Sequence, residues 1–286
     1  MSGQAPRENL ILRPFSASEA RARGLSAADL RIADIRQISR GIFVPHAGPP
    51  VLDRLVRAHL DLNPDAWASH RTAGALDGLW MPPWMDDHSY VHLSKPSHLP
   101  RVRRPGVVGH RVRILEGEVV IHEGIRMTSR GRTWLDLGHE LSVAALVALG
   151  DQLIRNPRPE FEGRSAPYET KASLARLLKA HPKVKGVGKC KEALIDMRVG
   201  SDSVPETMLR LSLVAHGFPE PQLQIKLDPD DPRSPTADLG YCRDRIGIHY
   251  EGAHHQEPQQ RLSDARRDTA FRHRGWGLIY AGGPRT

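Results

Sequence analysis

Three residues in the last third of the chain have side chains and spacing suited to binding a divalent cation. If Arg243 and Asp244 form a two-residue hairpin loop, Asp238 faces His249 on the next strand. Glu251 is two residues beyond His249, so both point to the face that carries Asp238. Carboxylates at Asp238 and Glu251 suit Mg²⁺ or Mn²⁺, and a water on such a cation can attack a phosphodiester.

Neighbouring residues add further candidate catalytic groups. A helix predicted to begin near residue 204 could bring Glu206 to the same patch. His254 and His255 follow Glu251 closely and could contact a phosphate or move a proton. The catalytic candidates are therefore Glu206, Asp238, His249, Glu251 and His255.

Each candidate also has a simpler structural interpretation. Ser203 and Glu206 form an S-x-x-E capping box, in which the glutamate only caps its helix. Asp238 can be an ordinary polar residue at a strand end, and His249 a hydrogen-bonded strand histidine. The hairpin register decides between these interpretations, because a slip of one residue moves every side chain to the other face.

The elements around these residues predict an α/β or α+β C-terminal domain, residues 201–286. VPETMLRLSLVAHG predicts a helix and LQIKLD a strand, followed by the hairpin and a closing helix and strand. This α-β-β-β-α-β order is typical of a mixed sheet covered by helices. Before it, residues 158–200 form a basic helical connector, which begins within the Pro-rich linker NPRPEFEGRSAPYE.

The first 47 residues predict a winged helix-turn-helix. SASEARARG and SAADLRIADIRQ are helical, Ser26 caps the second helix, and ISRGIFVP forms a β wing that turns at Gly41. Arg31 and Arg36 on the second helix, and Arg40 at the start of the wing, are the candidate DNA contacts. A solvated charged face is the alternative for each arginine.

Residues 48–157 predict a mixed α/β module. The helical segments are VLDRLVRAHLDL, SHRTAGALDGLW and RTWLDLGHELSVAALVALGDQLIR, and the strand segments are YVHLS, HRVRIL and VVIHEGIRMTS. The segment KPSHLPRVRRPGVVGHRVR contains six basic residues and no acidic one. A second basic run, from Lys171 to Lys191, could follow a phosphate backbone.

Charge and composition favour a polyanionic partner and argue against a membrane span. The formal net charge is +8 and the pI about 9.8, which fits nucleic acid or an acidic protein, although a GC-rich genome also yields arginine-rich chains. No run of 18 apolar residues and no secretory h-region occur. Two distant cysteines, Cys190 and Cys242, indicate a reducing cytoplasm.

The C-terminal pattern resembles the very-short-patch-repair endonuclease-like proteins, over residues 195 to 280. That family has the PD-(D/E)XK nuclease fold, which implies a glutamate on the first helix (Glu206) and an aspartate on a strand (Asp238). The next strand departs from the family, because His249 replaces an acidic residue and Glu251 replaces the usual aspartate. The closing helix and strand match at Gln260, Asp264, Arg267, Gly275 and Trp276.

Residues 10 to 155 resemble the AbiEi-type antitoxin region of actinobacterial proteins. The matching segments are ARGLSAADLR with SRGIFVP, ASHRTAGALDGL and MTSRGRTWLDLG. The resemblance implies a winged helix that binds operator DNA and an antitoxin-like module. The matching positions Ser69, His70, Arg132, Thr133 and Asp136 are expected to be structural, since Arg132 and Asp136 form an i,i+4 pair.

Three functions follow as hypotheses. The first is a metal-dependent endonuclease acting on double-stranded DNA, with a site altered by His249, because imidazole suits Zn²⁺ or Mn²⁺ better than Mg²⁺. The second is an antitoxin and transcriptional regulator with an inactive nuclease fold. The third is a module that neutralises a toxin or binds a regulatory protein.

Overall fold

The computed structural model describes residues 10–87, 89–158, 162–231, 233–251 and 258–282, with the backbone alone for Ile32, Glu251 and residues 258–263. These residues form helices and mixed sheets, which confirms the predicted α/β class. They pack as two compact units: residues 1–141 with 176–188, and residues 142–175 with 189–286. The four predicted domain ranges stay predictions.

The helices and strands follow in chain order. The helices are α1 (Ala17–Ala22), α2 (Ala27–Ile32), α3 (Leu52–Asp61), α4 (His70–Leu76), α5 (Arg130–Asp136), α6 (Val143–Ile154), α7 (Lys171–Ala180), α8 (Val187–Asp196), α9 (Val204–Ala215) and α10 (Pro258–His273). The strands are β1 (Phe15–Ser16), β2 (Ile35–Ser39), β3 (Ile42–Pro45), β4 (Trp67–Ala68), β5 (Val91–Pro96), β6 (Val107–Val112), β7 (Val119–His122), β8 (Ile125–Thr128), β9 (Gln222–Lys226), β10 (Thr236–Tyr241), β11 (Ile246–Glu251) and β12 (Gly277–Gly282).

The first unit begins with two capped helices and a three-stranded antiparallel sheet of order β1-β3-β2. Ser26 caps α2 as predicted, and Gly41 turns the hairpin with a φ of +74°. The prediction that the second helix continues to residue 37 is wrong. The chain leaves α2 after Ile32 because Ile35 packs as a strand residue against the core around Phe15.

A five-stranded mixed sheet of order β6-β5-β4-β8-β7 forms the centre of the first unit. The amphipathic helix α3 buries Leu55, Val56 and Leu60 in its core. Strand β6 lies three residues earlier than predicted. The long helix predicted from Arg132 is interrupted, because a 3₁₀ turn follows α5 and Ser142 caps a new helix, α6.

The second unit contains a four-stranded sheet of order β12-β11-β10-β9. Helix α9, strands β9, β10 and β11, helix α10 and strand β12 reproduce the predicted α-β-β-β-α-β order. Helix α10 is the crossover between the parallel strands β11 and β12. Gly240 pairs with Gly247 in the hairpin, and a Cβ at Gly240 would lie 2.1 Å from the Ile246 carbonyl oxygen.

Candidate functional site

The hairpin of the second unit places Asp238 where the loop count predicted. Leu239 pairs with Ile248 and Gly240 with Gly247, and the same register sets Asp238 opposite His249. The turn spans residues 242–245, with Arg245 in the left-handed region at a φ of +53°. Asp238 Oδ2 accepts a hydrogen bond of 2.9 Å from the Tyr250 amide.

His249 is a buried histidine without hydrogen bonds. Its ring is packed beside Tyr280 and Phe271, at centroid distances of 6.0 and 6.2 Å. Among the described residues, neither ring nitrogen has a hydrogen-bond partner. Nδ1 lies 3.7 Å from Asp238 Oδ2, which is too long for a hydrogen bond and leaves an electrostatic attraction. The interpretation of His249 as a satisfied strand histidine has no support among the described residues and stays a prediction.

Glu206 caps its helix and also contributes charge to the site. Its carboxylate accepts hydrogen bonds from the Ser203 hydroxyl at 2.7 Å and the Asp202 amide at 3.0 Å. Burial raises the pKa of Glu206 to about 7, and the negative charge of Asp238 adds to that increase. The capping interpretation is correct, and the electrostatic coupling to Asp238 exists beside it.

Asp238 keeps an ionised and accessible carboxylate. Burial raises the pKa of Asp238, but His249 and the Tyr250 amide lower it more, so the net shift is downward. Arg267 on α10 lowers this pKa further and itself contacts Asp264 at 3.1 Å. The Asp238 side chain is 28% exposed, so a ligand can reach it.

Other predicted members of this site lie partly or wholly outside the description. His254 and His255 belong to undescribed residues, and the side chains of Glu251 and Gln260 are likewise undescribed. The backbone of Glu251 ends strand β11, pairing with Gly282. The predicted site is therefore represented by Glu206, Asp238 and His249, with Arg267 beside them.

A second cluster, which the sequence analysis did not identify, lies in the first unit. His70 begins α4, His92 lies on β5 and His110 on the parallel neighbour β6. Their ligand nitrogens all lie within 4.8 Å of one another, the one such group of three among the described side chains. The only signal in the sequence was a histidine in each of three neighbouring predicted elements.

The three histidines are neutral at physiological pH. Burial lowers the pKa of His92 and of His110 to about 4, with nearby positive groups adding to the effect. Burial, and then His110 and His92, hold the pKa of His70 well below its usual value. Each ring therefore keeps one nitrogen lone pair available at neutral pH.

A buried ion-pair network supports the histidine cluster. Arg132 contacts Asp136 at 2.9 Å and Glu118 at 2.7 Å, which agrees with the i,i+4 pair predicted from the sequence. Burial raises the pKa of Asp136 to about 6, although Arg132 opposes that shift. Asp136 Oδ2 lies 4.0 Å from His70 Nδ1 and has no hydrogen-bond partner among the described residues.

A cavity of about 590 Å³ opens over this cluster, and both predicted basic segments reach it. Arg111 and Arg113 come from the first segment, and Lys183 and Lys185 from the second. All four are exposed, and none forms an ion pair within the described part of the chain. Two basic runs far apart in sequence therefore share one pocket.

The three arginines predicted to contact DNA are exposed. Arg31 lies in the last turn of α2 and Arg40 in the β2–β3 turn. Arg36 lies on β2, so its predicted place on the recognition helix is wrong, because that helix ends at Ile32. None of the three forms an ion pair with a described residue, which leaves their charges available to an anion.

Among the described residues, no helix has the length and apolar character needed to cross a lipid bilayer. Neither cysteine forms a disulfide bond with a described residue; Cys190 is buried and Cys242 is exposed. Comparison of the chain with protein-family models, with curated proteins and with solved structures gave no match.

Proposed function

We propose that this chain binds DNA and that its second unit hydrolyses phosphodiester bonds with a divalent cation. The observation that carries the proposal is the accessible Asp238 carboxylate, set opposite the buried His249 and electrostatically coupled to Glu206. Glu251 ends the same strand two residues after His249. Carboxylates that share a divalent cation suit cleavage of a charged backbone.

Asp238 and Glu206 have oxygen atoms of the kind that a hard cation binds. Asp238 and Glu206 carry like charges whose repulsion helps to raise the pKa of Glu206, and a bound cation would relieve it. Asp238 and Glu251 would hold Mg²⁺ or Mn²⁺, which would supply an activated water and stabilise charge on the phosphate. His249 favours Mn²⁺ over Mg²⁺, since imidazole suits transition metals.

The residues around the cation have separate tasks. Asp238 stays ionised because His249 and the Tyr250 amide stabilise its charge. Glu206, with a pKa of about 7, can take the proton released as water attacks phosphorus and the P–O bond to the leaving oxygen breaks. Arg267 places a positive charge near Asp238, where a phosphate oxygen would be stabilised.

A cleavage assay tests this proposal. Supercoiled plasmid and a mismatched duplex are incubated with purified protein and Mg²⁺ or Mn²⁺. We expect nicking or cleavage that is lost in Asp238→Ala. Intact substrates with both metals, or unchanged cleavage by Asp238→Ala, would refute the enzymatic proposal.

A second candidate function is an antitoxin-like transcriptional regulator with an inactive nuclease fold, which would also bind a toxin partner. The exposed and unpaired Arg31, Arg36 and Arg40 favour this candidate. It predicts salt-sensitive binding to promoter DNA, weakened by Arg31→Ala or Arg36→Ala. Cleavage by the wild type would favour the enzyme, and binding without cleavage would favour the regulator.

A further inference from the structure

The histidine cluster of the first unit has the geometry of a metal centre. His92 Nδ1 and His110 Nε2 lie 3.1 Å apart and share a hydrogen bond, and a metal ion that took a lone pair from each nitrogen would replace that bond. The nitrogens of all three histidines lie within 4.8 Å of one another. The ring of His70 stacks nearly parallel on that of His110 with centroids 3.8 Å apart, so one of these rings must turn for both to bind one ion. We propose that His70, His92 and His110 bind a divalent transition-metal ion, whose open position faces the basic pocket and accepts a phosphate-type oxygen anion.

The surroundings of His70 match those of a metal-bound histidine. A ligating histidine commonly donates its second ring N–H to a carboxylate or another oxygen, which fixes the orientation of the ring. Nδ1 of His70 lies 3.0 Å from the Ser69 hydroxyl and 4.0 Å from Asp136 Oδ2. The other ring nitrogen, Nε2, is then the ligand. Asp136 Oδ2 is buried and has no hydrogen-bond partner that the structure describes, so this arrangement gives it a role.

The protein holds His70 in an unusual backbone conformation. Its φ is +51°, in the left-handed region that few non-glycine residues adopt. The residue is buried at the first position of α4, directly after Ser69. Backbone outliers of this kind persist where the surrounding structure requires a side chain in one place. Here the outlier directs the imidazole toward the strands that carry His92 and His110.

The chemistry of the cluster selects the class of metal. Each imidazole can offer one nitrogen lone pair to a metal ion. Nitrogen ligands suit Zn²⁺, Co²⁺, Ni²⁺ or Cu²⁺, whereas Mg²⁺ prefers oxygen. The nearby Arg132 does not leave an unbalanced positive charge, because Glu118 and Asp136 both contact it.

The pocket indicates what the open position would bind. Three protein ligands leave the fourth position of a tetrahedral ion to water or a ligand. Arg111, Arg113, Lys183 and Lys185 line the same cavity and lack ion-pair partners among the described residues. Anionic oxygens, and phosphate above all, complement a cation surrounded by such a rim.

Metal titration tests the centre directly. Metal-stripped full-length protein is titrated with Zn²⁺ by calorimetry and with Co²⁺ by visible absorption. We expect tetrahedral Co²⁺ bands, and a Zn²⁺ affinity that falls at least 100-fold in His92→Ala and His110→Ala. The matched control is His98→Ala, an exposed histidine in the turn after β5, which should bind as the wild type does. Absence of the Co²⁺ bands in the wild type, or equal binding by His92→Ala, would overturn the proposal.

Two further measurements keep the outcome interpretable. Far-UV circular dichroism establishes that each variant is folded, and His92→Gln replaces His92→Ala if the alanine variant unfolds. Inorganic phosphate is then titrated into the Zn²⁺-loaded protein. We expect Arg111→Glu with Lys183→Glu to weaken phosphate binding at least tenfold while Zn²⁺ affinity is unchanged. Equal phosphate binding with and without Zn²⁺ would overturn the assignment of the open position.

Discussion

The two candidate sites of this chain differ in how their ligands are supplied. In the second unit, Asp238 and His249 face each other across one hairpin, and the carboxylate is partly exposed. In the first unit, His70, His92 and His110 come from a helix and two parallel strands. One site offers oxygen ligands with negative charge, and the other offers neutral nitrogen ligands.

If both proposals are correct, ligand chemistry alone would give the two sites different metal preferences. Oxygen donors favour Mg²⁺ or Mn²⁺, while imidazoles favour Zn²⁺ and its neighbours. His249 is an intermediate case, because it places an imidazole next to Asp238, and neither ring nitrogen has a hydrogen-bond partner within the described part of the chain. The predictions below test this separation, beginning with the largest effect.

Arg132→Met should destabilise the first unit by about 3–5 kcal/mol, because it removes the ion-pair partner of the buried Asp136 and leaves Glu118 with His181 alone as an ion-pair partner among the described residues. Urea unfolding followed by circular dichroism measures the loss. Arg103→Met, at an exposed position, should change stability by less than about 0.5 kcal/mol. If the two substitutions lower the free energy of unfolding equally, the buried ion-pair network does not stabilise the first unit.

Glu206→Gln should change how stability depends on pH. The carboxyl pKa rises from 4.5 to about 7 on folding, so the wild type loses stability as pH rises through 7. Glutamine does not ionise, so the variant should gain on the order of 3 kcal/mol relative to wild type between pH 4.5 and pH 8. Unfolding of the metal-free proteins at several pH values measures this difference in stability. The control Glu116→Gln, at an exposed position, should show no such trend.

Metal-dependent stabilisation should separate the two sites. At 100 times the dissociation constant, a ligand stabilises the native state by about 2.7 kcal/mol. Zn²⁺ should therefore stabilise the wild type and Asp238→Ala but not His92→Ala. Mn²⁺ should stabilise the wild type and His92→Ala but not Asp238→Ala. Calorimetric unfolding measures the stabilisation by each metal. A variant that loses the stabilisation by Zn²⁺ and also that by Mn²⁺ would contradict two independent sites.

The smallest expected effect concerns Arg31, one of the arginines predicted to contact DNA. Arg31→Ala should weaken DNA binding uniformly across sequences and reduce the slope of log affinity against log salt by about 1, as for one phosphate contact. Fluorescence anisotropy at several salt concentrations measures the slope. An unchanged slope in Arg31→Ala would show that Arg31 does not contact DNA. The control is Arg23→Ala, because Arg23 forms an ion pair with Glu19.

The sequence predicted the carboxylate site better than the histidine site for a physical reason. Asp238 and His249 lie on strands joined by one short turn, so counting from the turn fixed their register. His92 and His110 meet only because β5 and β6 pair in parallel, which no spacing pattern reveals. The class of fold was predictable from periodicity, but the end of α2 was not, because packing of Ile35 overrides helical spacing.

The most direct test of the account compares the rate of plasmid nicking by wild type, Asp238→Ala and His92→Ala under Mn²⁺. The account predicts that nicking falls at least 100-fold in Asp238→Ala and stays within twofold of wild type in His92→Ala, with both variants folded. Nicking that survives in Asp238→Ala, or that disappears in His92→Ala alone, would contradict the assignment of phosphodiester hydrolysis to the second unit.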